Sequence, residues 1–463
     1  MINKIYQKYI LLFSVMLLTA SCAKLDLVPT DSISPDKAFR NMNDINMGLI
    51  GAYALVEYTP ISINSITSDE CFFPAESTVN NDAFRWLYNS SSGSVTSLYA
   101  DYYRAIDRAN RTLAGLDALT ITPTDAPTAA RYRGELLALR AYLHFELLRA
   151  YASSYQTGAL GVPYMLASSI GYPARDNFEV VIANAKADLV AAKGLIPTTF
   201  TDKTRITKAA VSAIQARLAL YEKNWSEAIT YANEVIAVYP LATKAQFPGV
   251  WTDANDNEVV WKAKRLGTSD SRIGDFYFRQ VGAIVQYAPA FKLINAFDKV
   301  NDLRYASYIK FDPSRTGNKS QYLLNKYIGS QPVSAPGLAD IKLFRTGEMY
   351  LIKAEAEAES TGDAAGDLNA LRNARINGYV NATFADKPTL IAAIMEERYK
   401  ELAFEGHRFF DLKRRNLPVQ RLAADAVNVS NAVTLPITQA QYALPIPALE
   451  ISVNKNTVQN PNY

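Results

Sequence analysis

Two stretches of the chain follow one plan, and that plan limits its architecture more than any other feature. The first runs from Lys208 to Glu222 and from Ser226 to Val238, joined through Lys223-Asn224-Trp225 and closed by Pro240. Ala228 and Ala232 stand where two helices must approach closely. The second runs from Thr346 to Ser360 and from Asp363 to Ile376, with Gly362 at the turn and Ala354, Ala356 and Ala358 at the close-packing positions. A short helical hairpin cannot cover its own apolar face, so it stacks on neighbours of its kind. Two copies argue for a mostly α protein made of stacked hairpins.

The rest of the chain extends this scaffold and interrupts it once. Ser34-Pro35-Asp36-Lys37 reads as a helix start, with a capping serine and proline at the first helical position, and predicts helix to about Tyr58. Thr59 to Ser97, rich in Ser, Asn, Asp and aromatic residues, reads as loop before a helix from Leu98 to Ala118. Arg131 to Tyr151 spaces Leu136, Leu139, Leu143 and Leu147 by three and four, which predicts an amphipathic helix with charges on its other faces. From Phe247 to Pro336 the texture changes to aromatic residues among turn formers, with short β-like runs such as Glu258 to Lys262. This is expected to be an excursion from the scaffold. The stretch from Val433 to Tyr463 is rich in Pro and Asn and is expected to run extended. The expected organisation is therefore one domain over 36–463, with helical scaffold at about 36–240 and 340–415, a loop-rich excursion at about 247–336 and an extended end at 433–463.

The first residues predict export. Lys4 and Lys8 precede an apolar run from Tyr9 to Leu18 that is too short for a comfortable membrane span, and Leu18-Thr19-Ala20-Ser21 leads into Cys22. This resembles a bacterial lipoprotein signal covering 1–21, with Cys22 acylated and 22–35 as a tether; Thr19 stands where leucine is usual. Cys71 is then the only other cysteine, so no intramolecular disulfide is available and stability must come from burial. The formal charge of the whole chain is +3, two of its lysines lie in the leader, and the near-neutral remainder lacks the field that nucleic acid would need.

Several segments together resemble the SusD/RagB family over nearly the whole mature chain. They begin with Cys22-Ala23-Lys24-Leu25-Asp26-Leu27-Val28-Pro29-Thr30, then Tyr103 to Asn110, Arg140-Ala141-Tyr142 and Gly161-Val162-Pro163-Tyr164. More specific are Arg345 to Glu357 with Leu368 to Arg372, Glu397 to Leu412, and the ending from Leu444-Pro445-Ile446-Pro447 to Tyr463. Arg415, Lys455 and Asn462 depart from the family's frequent tryptophan, proline and glycine. The resemblance implies a tetratricopeptide-like scaffold, a loop-rich ligand face, an outer-membrane lipoprotein facing the cell exterior, and a SusC-like TonB-dependent barrel as partner. It implies a binding protein and no catalysis, with a glycan as ligand or, in RagB-like members, an oligopeptide. A lipoprotein that uses its repeats only to assemble other proteins is the other class open to such a chain.

The side-chain chemistry agrees with binding. Glu397, Glu401 and Glu405 are spaced by four, and with Arg398, Lys400 and Arg408 they predict ion pairing on the helix surface and to the following loop rather than a glycosidase acid pair. The two histidines, His144 and His407, and Cys71 show no metal-site spacing, and no nucleophile elbow, phosphate loop or zinc-protease motif occurs. No cofactor is expected. Sugar binding needs flat aromatic faces beside amides and charged groups that bridge hydroxyls. Asn81, Asp82, Arg85, Trp86, Tyr88 and Asn89 offer that mixture in the expected loop, led by Trp86, for which core packing between Phe84 and Leu87 is the alternative role. Arg272, Asp275, Tyr277 and Tyr287 form a second candidate patch in the excursion. Alternation along a strand there would bury Phe276 and Phe278 and turn Tyr277 outward. Trp225 is read as scaffold.

Overall fold

The computed structural model describes residues 35–267, 270–327, 329 and 336–463. The leader, Cys22 and the tether as far as residue 34 lie outside the described residues. Each long helix of the stack packs on the next. Numbered along the chain, these are α1 (Met42–Tyr53), α2 (Gly93–Ala118), α3 (Ala126–Tyr151), α4 (Phe178–Leu195), α5 (Lys208–Glu222) and α6 (Trp225–Val238). The stack then skips a long insertion: α6 packs directly on α7 (Thr346–Glu359), which packs on α8 (Ala364–Arg375) and α9 (Lys387–Glu401). The two hairpins evident in the sequence are therefore neighbours in space. Ala228, Ala232, Ala354 and Ala356 are all fully buried, as close helix packing requires.

Local signals fix the hairpin ends. The Thr207 hydroxyl accepts from Ala210 N at the start of α5, and Lys223 ends that helix in the left-handed region at φ 62°. The Asn224 side chain accepts from Glu227 N to start α6, and the Asp363 carboxylate accepts from Gly366 N to start α8. The insertion leaves and returns at one place, because Val259–Ala263 pairs antiparallel with Ile341–Arg345. Beyond that root it is a chain of short helices and two-stranded ladders.

Four expectations need correction, the first being the extended end at 433–463, which carries a helix at Ala448–Val453. Helix does not run unbroken from Pro35 to Tyr58: a four-residue helix (Pro35–Ala38) stops, and α1 begins afresh at Met42. The cause is Asn41, whose side-chain oxygen accepts from Asn43 N and Asp44 N. The stretch expected as loop contains a helix, Thr59–Thr67, with Pro60 in its first turn, and α2 already starts at Gly93. Finally, α3 is not amphipathic. Leu136, Leu139, Leu143 and Leu147 are buried, each worth roughly 1.5–3 kcal/mol, but so are Glu135, Arg140, His144, Glu146 and Arg149. His144 bonds only backbone, while the charged groups are paired inside the protein, Arg140 with Asp188 at 2.7 Å and Arg149 with Glu146 at 2.7 Å.

Candidate ligand-binding face

A ladder of two residue pairs determines where the loops of the insertion meet the N-terminal part of the chain. Cys71 lies opposite Pro289 and Phe72 opposite Ala288. The Gln286 side chain reinforces the junction: its oxygen accepts from Ser77 Oγ and Thr78 N, and its nitrogen donates to Thr78 Oγ1. The two candidate patches are thereby brought together, with the rings of Phe84 and Tyr287 stacked at 6.3 Å and that of Phe276 on Tyr287 at 4.8 Å.

The candidate rings of both patches are buried, most of them by other parts of the chain. Trp86 is 3% exposed; its Nε1 donates to Thr67 O at 2.9 Å, and the Arg421 guanidinium lies 4.0 Å from its ring centre. Arg421 also donates to Ser68 O, Phe84 O and Ile66 O, so the cation is satisfied by carbonyls while covering an indole face. Trp86 holds a left-handed φ of 58°, strain of about 1–3 kcal/mol that the surrounding contacts offset. Tyr88 is fully buried with its hydroxyl on Gln441 O, Tyr277 bonds Ser65 Oγ at 2.8 Å, and Tyr287 is buried. None of these four rings offers a free face here. The expected alternation at 276–278 is reversed, because Ile273–Tyr277 is a short helix: Tyr277 is buried and Phe276 and Phe278 only half so. Asn81, Asp82, Arg85 and Asn89 remain partly or fully exposed, as do Arg272 and Asp275. Partial burial raises the Asp275 carboxyl above its usual range, and its Oδ1 has no hydrogen-bond partner among the described residues.

The open aromatic surface lies next to this cluster. Ile309–Phe311 and Tyr322–Leu324 form a hairpin with Phe311 opposite Tyr322. Between its loop and Phe72 runs an open groove of about 620 Å³. Phe72 and Phe291 stack at 5.2 Å, Tyr322 meets Phe291 edge-on at 5.9 Å, and Phe311, 49% exposed, leans on Tyr322 at 5.0 Å. Asn318, Gln321 and Asn428 supply amides along the same groove. The loop is held by a buried carboxylate: Glu76 accepts from Arg315 at 2.8 Å and from Ser320 N at 2.8 Å. Rings with amides at their edges can stack on sugar C–H faces and bridge hydroxyl pairs. None of these groups belongs to the two patches that the sequence singles out. Phe72 and Phe291 are 219 positions apart and meet only through the ladder.

A buried charge network anchors the insertion to the scaffold. Glu397, Glu401 and Glu405 do pair with bases, but inside the protein and not on a helix surface, because elements from three regions close over that face of α9 and the loop after it. Arg304 from the insertion, Arg345 from its root and Arg375 from α8 converge on Glu401 at 3.0–3.1 Å. Burial alone would push the Glu401 carboxyl up; the three guanidiniums outweigh it and hold it well below the usual range. Lys326 bonds Glu405 at 2.7 Å, and burial draws its ammonium down to about 8.

Comparison with known proteins agrees with this architecture. A family model described as the SusD family matches residues 298–463, and one described as starch-binding and associating with the outer membrane matches 25–220. The SusD-like protein P2 of Formosa agariphila is 24% identical, aligned over 99% of this chain and 100% of its own length. A SusD superfamily protein from Bacteroides vulgatus superposes with a TM-score of 0.80 at 23% identity, over 92% of this chain and 100% of that one. A laminarin-binding SusD-like protein superposes with a TM-score of 0.70 at 20% identity, over 92% of this chain and 100% of that one. The chain belongs to the SusD-like family.

Proposed function

We propose that this protein is an outer-membrane lipoprotein, anchored through Cys22 and facing the cell exterior, that captures a glycan and favours its delivery into a SusC-like TonB-dependent transporter. The observation that carries the reading is the open groove that the half-buried rings of Phe291 and Tyr322 line with the buried Phe72 and with Asn318, Gln321 and Asn428, while the exposed Phe311 leans on Tyr322 outside that lining. The starch-binding description of the family matched over 25–220 and the laminarin-binding neighbour support a glycan as the ligand. The mechanism is binding without turnover: a ligand that bridges lid and barrel stabilises the closed state of the pair. Asn81, Asp82, Arg85, Asn89, Arg272 and Asp275 belong to the same reading as outer polar contacts, reached by a long chain beyond the rings.

The test is isothermal titration of the chain from residue 23 onward against laminarin, starch and other oligosaccharides, alongside a set of oligopeptides. Phe291→Ala and Tyr322→Ala are measured in parallel. Saturable glycan binding weakened by either variant supports the reading. Glycan silence with a peptide response overturns it in favour of oligopeptide uptake, and binding of neither with capture of a partner protein favours an assembly scaffold.

A further inference from the structure

A second pocket, of about 460 Å³, opens where the loop after α3 (153–156), the turn between α5 and α6, and the short helix Arg408–Arg414 come together. Its volume lies in the range of small-molecule sites, roughly 300–1,000 Å³. One side chain in it is out of place energetically. Lys413 is 7% exposed, and among the described residues no carboxylate lies within ion-pair distance of its ammonium. Nζ makes one hydrogen bond, to Ala152 O at 2.6 Å, and lies 5.0 Å from the centre of the Tyr155 ring. An ammonium has three donors, so two remain for whatever enters the pocket.

The neighbouring charges do not relieve it. Arg414 and Arg415 are already matched, Arg414 with Glu355 and Asp411, Arg415 with Glu359 at 2.6 Å. Arg175, the other buried cation nearby, bonds only carbonyls and Asn460 and adds to the positive potential. Burial, with the charge of Arg175 beside it, draws the Lys413 ammonium down to about 7. Buried cations are ordinarily paired, and this one faces a cavity instead. Around it stand the Trp225 indole, half-buried, with Ser154, Gln156 and Asn416. Tyr155, Gln156 and Lys223 also border an adjoining trough of about 630 Å³, so a chain attached to the occupant has room to continue.

We propose that this pocket is a second ligand site, separate from the aromatic groove, that takes a sugar residue bearing a carboxylate, with Lys413 as its counter-ion. The charge calls for an anion, and the indole beside hydroxyl and amide groups suits a sugar ring more than a bare ion. The inference stands whether or not the groove binds glycan.

The experiment titrates the chain from residue 23 onward with D-glucuronate, using D-glucose and acetate as controls, by calorimetry and thermal shift. Glucuronate is expected to bind at least tenfold more tightly than either control. Lys413→Met should abolish that binding while raising the melting temperature, because an unpaired buried charge is removed. Ser154→Trp, which leaves Lys413 intact and fills the pocket, should abolish it too, and Phe291→Ala should leave it unchanged. Equal affinity for glucose, acetate as good as glucuronate, or glucuronate binding retained in Lys413→Met each overturns the proposal. Loss of binding in Phe291→Ala would move the acidic sugar to the groove and overturn it as well.

Discussion

Segment 80–89 and the hairpin 309–324 carry similar mixtures of aromatic rings, amides and basic side chains, yet they end in opposite environments. In the first, Arg421 reaches in from more than 330 positions away and covers the faces of Phe84 at 3.7 Å and Trp86 at 4.0 Å. In the second, Arg315 of the loop is drawn aside by Glu76, Lys319 points to solvent, Phe311 stays exposed and Tyr322 half-exposed. Composition alone does not distinguish a ligand platform from a core cluster. What distinguishes them is whether a distant charge has already taken the ring.

The sharpest way to break this contrast is Trp86→Ala. Loss of a buried indole should cost about 3–5 kcal/mol in denaturant unfolding, with glycan affinity of the folded fraction unchanged. A variant of normal stability that has lost its ligand would invert the comparison. Next in size is Asp69, which is fully buried and pairs with Arg408 at 2.8 Å and Lys292 at 2.6 Å. Burial works against its charge, but Arg408 and Lys292 prevail and bring it from 3.8 to about 2. The folded state therefore binds fewer protons than the unfolded one between those values. This contribution, ~2 kcal/mol, is fully present above pH 3.8 and lost as pH falls through 2. Unfolding measured against pH should show that acid slope, and Asp69→Asn should remove it.

Smaller effects are expected in the groove. Phe291→Ala or Tyr322→Ala should weaken glycan binding by roughly tenfold, about 1–2 kcal/mol for a lost stacking face; stability should change less than in Trp86→Ala. If both variants bind as the parent does, the groove is not the platform. The smallest effect belongs to Glu76→Gln, which keeps an acceptor for Ser320 N but removes the charge facing Arg315. A severalfold loss of affinity is expected from a looser loop, read by the same titration.

The stacked hairpins were legible because their signals are local: a joint at Lys223-Asn224-Trp225, a turn at Gly362, a closing Pro240 and alanines at helical spacing. The short strand expected at Glu258 to Lys262 lies at Val259–Ala263. The acids at 397, 401 and 405 show where legibility stops. Their spacing correctly implies ion pairing, but nothing in it says that Arg304, Arg345 and Arg375 come from three other elements and seal the face from water. Side-chain type and period report which groups share a face; they carry no information about what is packed on it.

By itself, then, the sequence determined the helical hairpins and the interruption between them, because capping, turn geometry and periodicity act over a few residues. The tertiary structure decided that α6 stacks on α7 across the whole insertion, that Arg421 claims Trp86, and that Phe72 and Phe291 meet to open a groove. These outcomes depend on contacts between segments hundreds of positions apart, where the energy of closing the structure outweighs any local preference.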